Sequence, residues 1–340
     1  MKNIKNQTFL ICIIIIALFI GGCISKPIEK LNVNDLGTKG EIKENVTNKN
    51  GIINETNNTS QVKNKFINWT KEKKVITQGV SSSIIIKDNK YLMYYTGNGI
   101  ELAVSEDGLN FIKKGRIIEN GPVDSEQEMV TNPTVFQLLD KSYRMIYEGS
   151  LWAEDERDHR YQMDRKLYSA ISFDGEKWFK EEGVRFWDYG DGKPGEVFTS
   201  VPDIIRLPDN RLRMYYTRGA TSAIALSNDE GLTWTKEVDL KLRKVAIDLD
   251  ILLLDDNMYK LFFTTFEDEF GFGEQWMMSA DSIDGINFVI NENKIIESST
   301  LGGLITDPDV IKTDKGYRMY YGEFKNGKFE SDIMSAFASE

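Results

Sequence analysis

From residue 80 to the C-terminus, apolar and polar positions recur in one order five times. A short apolar run opens each unit: SSIIIK, TVFQLL, DIIRL, DILLL and DVIKT. A tight polar turn follows (KDNK, LDKS, LPDNR, LDDN, TDKG), then an aromatic-rich run on one template: KYLMYYTG, SYRMIYEG, RLRMYYTR, MYKLFFTT and GYRMYYGE. Apolar runs rich in β-branched and aromatic residues, joined by such turns, predict β-hairpins. A third run (ELAVS, LYSAIS, AIALS, WMMSA, IMSAFA) leads in four units to an Asp-Gly turn: SEDGLNF, SFDGEKW, SNDEGLTW and SIDGINF. There the glycine takes the positive φ, and the Ser and Asp side chains tie down amides. The aromatic after each turn, Phe111, Trp178, Trp234 or Phe288, opens a fourth strand and is expected in the blade core.

A supersecondary unit repeated five times stacks on its neighbours, so the fold class follows from the repeat. The pattern predicts an all-β, five-bladed β-propeller over residues 66 to 340, with a two-sheet sandwich as the alternative. The last unit stops after its third strand. Ahead of the first unit, Trp69-Thr70-Lys71-Glu72 matches Trp234-Thr235-Lys236-Glu237. The N-terminal strand of the domain is therefore expected to close the last blade, leaving only short edges.

Before residue 66 the pattern changes. Lys2 and Lys5 precede an apolar run, Phe9 to Ile20, short for a membrane span and of the length of a secretory signal core. It ends in Ile20-Gly21-Gly22-Cys23, which resembles the lipobox of prokaryotic lipoproteins. The resemblance implies a signal peptide over 1–22 and lipidation (a palmitate-type anchor) at Cys23, holding the mature chain on the outer face of the cell membrane. An uncleaved anchor would tether the domain there too. Residues 23–65, rich in Asn, Lys and Thr, predict a disordered tether with sequons at Asn45, Asn54, Asn57 and Asn58, and a further one at Asn68. The only other cysteine, Cys12, lies in the signal, so the domain has no disulfide.

Charge narrows the partners. Loss of Lys2 and Lys5 with the signal takes the net charge from −11 to −13. An acidic surface opposes phosphate backbones and anionic lipid, which argues against nucleic acid and leaves a neutral glycan or a cation. His159, the only histidine, excludes a multi-histidine zinc site and leaves no ready Ser-His-Asp triad. The charged run around it, AEDERDHRYQMDR, reads as a solvated loop. No cofactor motif is present; Asp oxygens for a bound calcium ion exist, without a spacing that specifies one.

Strand parity locates the candidate site. The long insertions, Glu148 to Arg165, Phe266 to Gln275, Glu323 to Phe329 and the segments Gly115 to Asn132 and Gly183 to Val201, all fall on the face where the first strands begin. The Asp-Gly turns fall on the other. The entries to the first strands are Ser81-Ser82-Ser83, Asn132-Pro133-Thr134, Val201-Pro202-Asp203, Asp248-Leu249-Asp250 and Asp307-Pro308-Asp309. Positions two apart share one side of a strand, which places Asp203, Asp248, Asp250, Asp307 and Asp309 around a channel mouth. Like charges so close raise one another's pKa and suit acid/base chemistry or cation binding; Asp residues there equally bond turn amides. Trp152, Trp187, Tyr189, Phe266, Phe270, Phe272 and Trp276 lie in or beside the same loops, where rings stack on sugars or cover the loops.

The D-P-x-V entries, YRMYY strands and Asp-Gly-aromatic turns resemble the five-bladed propeller glycosidases of the arabinanase, xylosidase and fructosidase type, glycoside hydrolase families 43 and 32. The resemblance implies an Asp base or nucleophile in the first blade, an orienting Asp in the second and a Glu acid in the third. This chain departs from that: its first two blades hold Ser81, Ser83, Asn132 and Thr134. If it is an enzyme, the expected carboxyls are Asp250 and Asp309, then Asp203, with Glu148 or Glu323 as acid. Asn132, Asp248, Asp307, Trp152 and Trp276 are the expected ligand-binding residues; in a carbohydrate-binding module the same Asp residues orient sugar hydroxyls or a cation. A propeller that contacts envelope proteins is the third class. SNDEGLTW also matches the Asp box of sialidases, but Arg144, Arg213 and Arg318 sit in the repeat and read as blade packing instead of a carboxylate-binding triad.

Overall fold

The computed structural model describes residues 68–154, 160–188, 198–219, 221–255, 257–267, 273–300, 302–324 and 330–339, with the side chains of 152–154 and 160–164 left out. The signal, the tether, His159, Tyr189, Phe270, Phe272 and the Trp152 side chain lie outside it. The domain opens with β1 (Thr70–Thr77). Blade 1 is β2 (Val80–Lys87), β3 (Lys90–Gly97), β4 (Gly99–Ser105) and β5 (Ile112–Ile118); blade 2 is β6 (Met129–Gln137), β7 (Tyr143–Glu154), β8 (Arg160–Ser172) and β9 (Phe179–Lys180). Blade 3 is β10 (Thr199–Arg206), β11 (Leu212–Arg218), β12 (Thr221–Ser227) and β13 (Thr235–Leu240); blade 4 is β14 (Ile247–Leu253), β15 (Tyr259–Phe266), β16 (Gln275–Ser282) and β17 (Val289–Glu297). Blade 5 is β18 (Leu304–Thr313), β19 (Gly316–Phe324) and β20 (Ser331–Ser339). Each blade is an antiparallel four-stranded sheet in chain order, and β1 supplies the fourth strand of blade 5 by pairing with β20 from Thr70↔Phe337 to Thr77↔Asp332.

The repeat template also joins the blades. The core lies between neighbouring sheets, as where Tyr215 and Leu207 of blade 3 meet Leu249, Ile251 and Phe263 of blade 4. The tyrosine of the second strand reaches the next blade's Asp-Gly turn: Tyr94 Oη donates to Gly175 O at 2.7 Å, Tyr215 Oη to Gly285 O at 2.7 Å and Tyr320 Oη to Gly108 O at 2.9 Å. The arginines do the same while pairing with the fourth strand of their own blade. Arg213 donates to Asp284 O and pairs with Glu237; Arg318 donates to Asp107 O and pairs with Glu72. Glu72 and Glu237 are the matched residues of the two Trp-Thr-Lys-Glu segments, so the last blade is closed by the same contact that braces the third.

In the turns, Ser227 Oγ donates to Asp229 Oδ1 at 2.8 Å and accepts from Gly231 N at 2.9 Å. Amides donated by Asn110 and Leu109 hold the Asp107 carboxyl below the usual carboxylate range, and those of Lys177 and Glu176 do so for Asp174. These are rigid structural turns.

Glu148 to Arg165 is not an irregular insertion. Strands β7 and β8 continue as a paired hairpin out to Glu154↔Arg160, longer than the equivalent strands of the other blades.

Candidate active site at the channel mouth

Each first strand begins with the same irregularity. Its entry residue has a left-handed backbone, with φ of 49° at Ser81, 52° at Asn132, 44° at Val201, 51° at Asp248 and 51° at Asp307. Pairing with the second strand skips there in all five blades. Asn and Asp tolerate this region, whereas the β-branched Val201 is strained in it. The unpaired bulge also accommodates Pro133, Pro202 and Pro308, whose missing N–H costs no ladder bond. The first and third positions therefore do not share one side of a regular strand. They form two layers, one at the mouth and one deeper.

The deeper layer laces the blades together. Val135 N donates to Ser83 Oγ at 3.0 Å, Thr134 Oγ1 to Asp203 Oδ1 at 3.2 Å, Ile251 N to Asp203 Oδ2 at 2.8 Å and Val310 N to Asp250 Oδ1 at 3.2 Å. Ile84 N donates to Asp309, which brings the circuit back to blade 1. Burial, then mutual repulsion among the three carboxyls, pushes Asp250 and Asp309 well above the usual carboxylate range; burial raises Asp203. Asp250 Oδ2 and Asp309 Oδ2 are buried without a hydrogen-bond partner among the described residues. The cavity these carboxyls line, together with Ser81, Asn132, Val201 and Asp307 at the strand entries, has a volume of about 30 Å³. Space on that scale admits a water or two and no sugar ring, so a glycan would lie across its opening and not inside it.

The mouth layer is a second connected cluster. At the template position where blades 1, 3 and 4 hold Thr96, Thr217 and Thr264 and blade 5 holds Gly322, blade 2 holds Glu148. Thr96 and Thr217 accept the amides of Asn132 and Asp248 in the following blade, a structural task. Glu148 is 1 % exposed and gathers other donors: Asn132 Nδ2 at 2.9 Å, Ser200 Oγ, and Arg165 Nε across 3.6 Å. Arg165 is buried, stacks on the Phe198 ring with 4.3 Å to its centroid, and leaves Nε and Nη2 without a hydrogen-bond partner among the described residues. Across the channel, Asp248 accepts the Asp307 amide, and burial together with the Asp307 charge raises it well above the carboxylate range. Burial pushes Asp307 up to about 6.

Proton count gives this cluster a direction. The single hydroxyl proton of Ser81 goes to Asn132 Oδ1 at 2.6 Å, and Asp307 is hydrogen-bonded to the same hydroxyl. In the state where the proton of the Asp248–Asp307 pair lies on Asp307, each group donates to the next: Asp307 to Ser81, Ser81 to Asn132, Asn132 to Glu148.

The predicted residues thus separate by depth. Glu148, Asn132, Asp248 and Asp307 meet at the mouth, while Asp203, Asp250 and Asp309 sit below as inter-blade links. Trp276 is packed in the core between blades 3 and 4 with the Lys294 ammonium 3.9 Å from its ring centroid. Glu323 accepts from Ser298 Oγ at 3.0 Å and from the Ser299 amide, at the start of the blade 5 loop. Arg165 and Ser200 escaped the sequence reading: Arg165 closes a charged run that looks solvated, and no local pattern marks Ser200.

The chain has the fold of family-43-type glycoside hydrolases. It aligns with Cellvibrio cellulosa alpha-L-arabinanase complexed with arabinohexaose at 11% identity, covering 78% of this chain and 92% of that one with a TM-score of 0.58. It aligns with the endo-arabinase of Bacteroides thetaiotaomicron at 12% identity, 79% and 99% coverage and a TM-score of 0.56. A thermostable family-43 glycoside hydrolase gives 13% identity, 76% and 89% coverage and a TM-score of 0.51. No protein-family model matches the chain, and no curated protein matches it in sequence.

Proposed function

We propose that this protein is a membrane-tethered, extracytoplasmic propeller that engages carbohydrate at the mouth cluster and cleaves a glycosidic bond there. The observation that carries the reading is a pair of carboxyl groups in opposite surroundings, facing one another around one mouth. Asp307, pushed by burial up to about 6, is the acid that protonates the leaving oxygen when it holds the proton it shares with Asp248. Glu148, beside the Arg165 guanidinium, is the carboxylate that activates water or attacks the sugar. The Arg165 guanidinium, buried beside Glu148, holds that carboxyl in place. The similarity to arabinan- and xylan-degrading folds supports the substrate class.

One observation favours binding without hydrolysis. Asn132 and Ser200 both donate to Glu148 Oε2, and Arg165 faces Oε1, which leaves that carboxyl group little room to hydrogen-bond an attacking water. The two readings part on a panel of arabinan, xylan, fructan and envelope polysaccharides assayed for released reducing sugar. Cleavage by the parent, lost by at least about 100-fold in Glu148→Gln and Asp307→Asn, supports the hydrolase. Glycan-dependent thermal stabilisation with no release leaves the binding module. Neither release nor stabilisation overturns both.

A further inference from the structure

The large exposed apolar side chains are distributed unevenly between the two ends of the propeller. Val123 and Val184 lie in the connections that lead to the mouth. Eight others lie at the Asp-turn end, and five of these belong to adjacent blades 1 and 2: Ile86, Ile112, Leu139, Phe173 and Phe179. Phe173 is 73% exposed at the tip of its turn, Ile112 is 68% exposed and Phe179 is 58% exposed at the starts of β5 and β9. Such rings serve no blade core, and several at one end mark a contact surface. Blades 1 and 2 abut here, through Tyr94 and Gly175.

Two further features belong to this end. Lysines stand among the apolar positions: Lys87 follows Ile86, Lys114 lies two residues after Ile112 and Lys177 two before Phe179, while the Lys113 and Lys180 ammonium groups turn away to Thr77 O and Glu119 O. A cleft of about 260 Å³ opens among Lys90, Lys114, Ile112 and Asn110, with Glu106 and Asp107 on its wall and Glu106 paired to Lys90 at 3.1 Å. Strand β1, as the outermost strand of blade 5, runs from this end toward the mouth. The N-terminal 67 residues, with the apolar run Phe9 to Ile20 and Cys23, therefore join the domain here, opposite the mouth.

We propose that the Asp-turn end of blades 1 and 2 is a membrane-contacting surface, with Ile112, Phe173 and Phe179 entering the interfacial region of a lipid bilayer and Lys90 and Lys114 meeting lipid phosphate. Apolar tips between ammonium groups have the chemistry of interfacial binding, and the contact directs the mouth away from the bilayer. The surface acts independently of any lipid on Cys23.

The test is flotation of the domain from residue 66, which carries its own closing strand, with phosphatidylcholine vesicles and with vesicles containing 30 mol % (on the order of the anionic content of natural leaflets) phosphatidylglycerol. The domain floats with the anionic vesicles, and Phe173→Ser/Phe179→Ser lowers the bound fraction by about tenfold or more for each ring removed. Lys90→Gln/Lys114→Gln weakens binding to anionic vesicles alone, by about fivefold per lysine. Val123→Ser, at the other end, changes nothing. Failure of the parent to float, or flotation indifferent to loss of the two rings, overturns the proposal. So does a dimer seen by sedimentation that the Phe173→Ser/Phe179→Ser domain no longer forms, since the surface would then be covered by a second copy. All five variants are of exposed positions, and unchanged melting temperatures verify the fold.

Discussion

Asp250 shows how one residue can be found for one reason and serve another. Its carboxyl holds the amide of Val310, 60 residues further along the chain, while its second oxygen has no partner among the described residues. Asp250→Ala, which strands that amide, should cost about 1–3 kcal/mol in chemical denaturation. Asp250→Asn keeps an acceptor and removes a charge, so it should be no less stable than the parent above neutral pH. The pH dependence follows from the same residues. A carboxyl with a raised folded pKa binds its proton more tightly folded than unfolded, so its contribution is full below the unfolded pKa and lost as pH rises through the folded one. For Asp307 that window runs from about 4 to about 6, and Asp307→Asn should flatten the stability profile there. The Asp cluster was legible in the sequence because the repeat aligns its members. The amides they hold come from the next blade and leave no local trace, which is also why Arg165 passed for a solvated charge.

At the scale of the element, the closing strand was readable down to the residue. Trp-Thr-Lys-Glu at 69–72 matches 234–237, and Arg318 to Glu72 reproduces Arg213 to Glu237. Arg318→Ala should therefore cost about as much as Arg213→Ala, of the order of 1–3 kcal/mol, since each loses charge-assisted bonds within its blade and one to the next. A chain begun at residue 78 should lose far more, exposing the β20 edge and aggregating on mild heating. Two element-level features were hidden. The entry bulges depend on a left-handed φ that alternating patterns do not encode, so the parity argument treated two layers as one side. The β7–β8 extension carries enough charge to look like a loop, although its strands stay paired to Glu154↔Arg160.

Across the whole molecule, the two ends have different work. The Asp-turn end carries the rigid turns, the entry of β1 and the exposed rings, while the opposite end carries the acidic mouth. Five near-identical blades supply an internal control, and the residues that break the pattern collect at that mouth. Glu148 replaces a threonine, and Val201 occupies a left-handed position that the other blades give to Ser, Asn or Asp. The decisive measurement is calorimetric titration of arabinan, xylan and fructan oligosaccharides into the parent domain and into Asp307→Asn. Binding of at least one oligosaccharide by the parent, weakened about tenfold or more in the variant while its melting temperature is kept, is the predicted result. Absence of binding across the panel, or binding that the substitution leaves untouched, would contradict a carbohydrate site at the mouth.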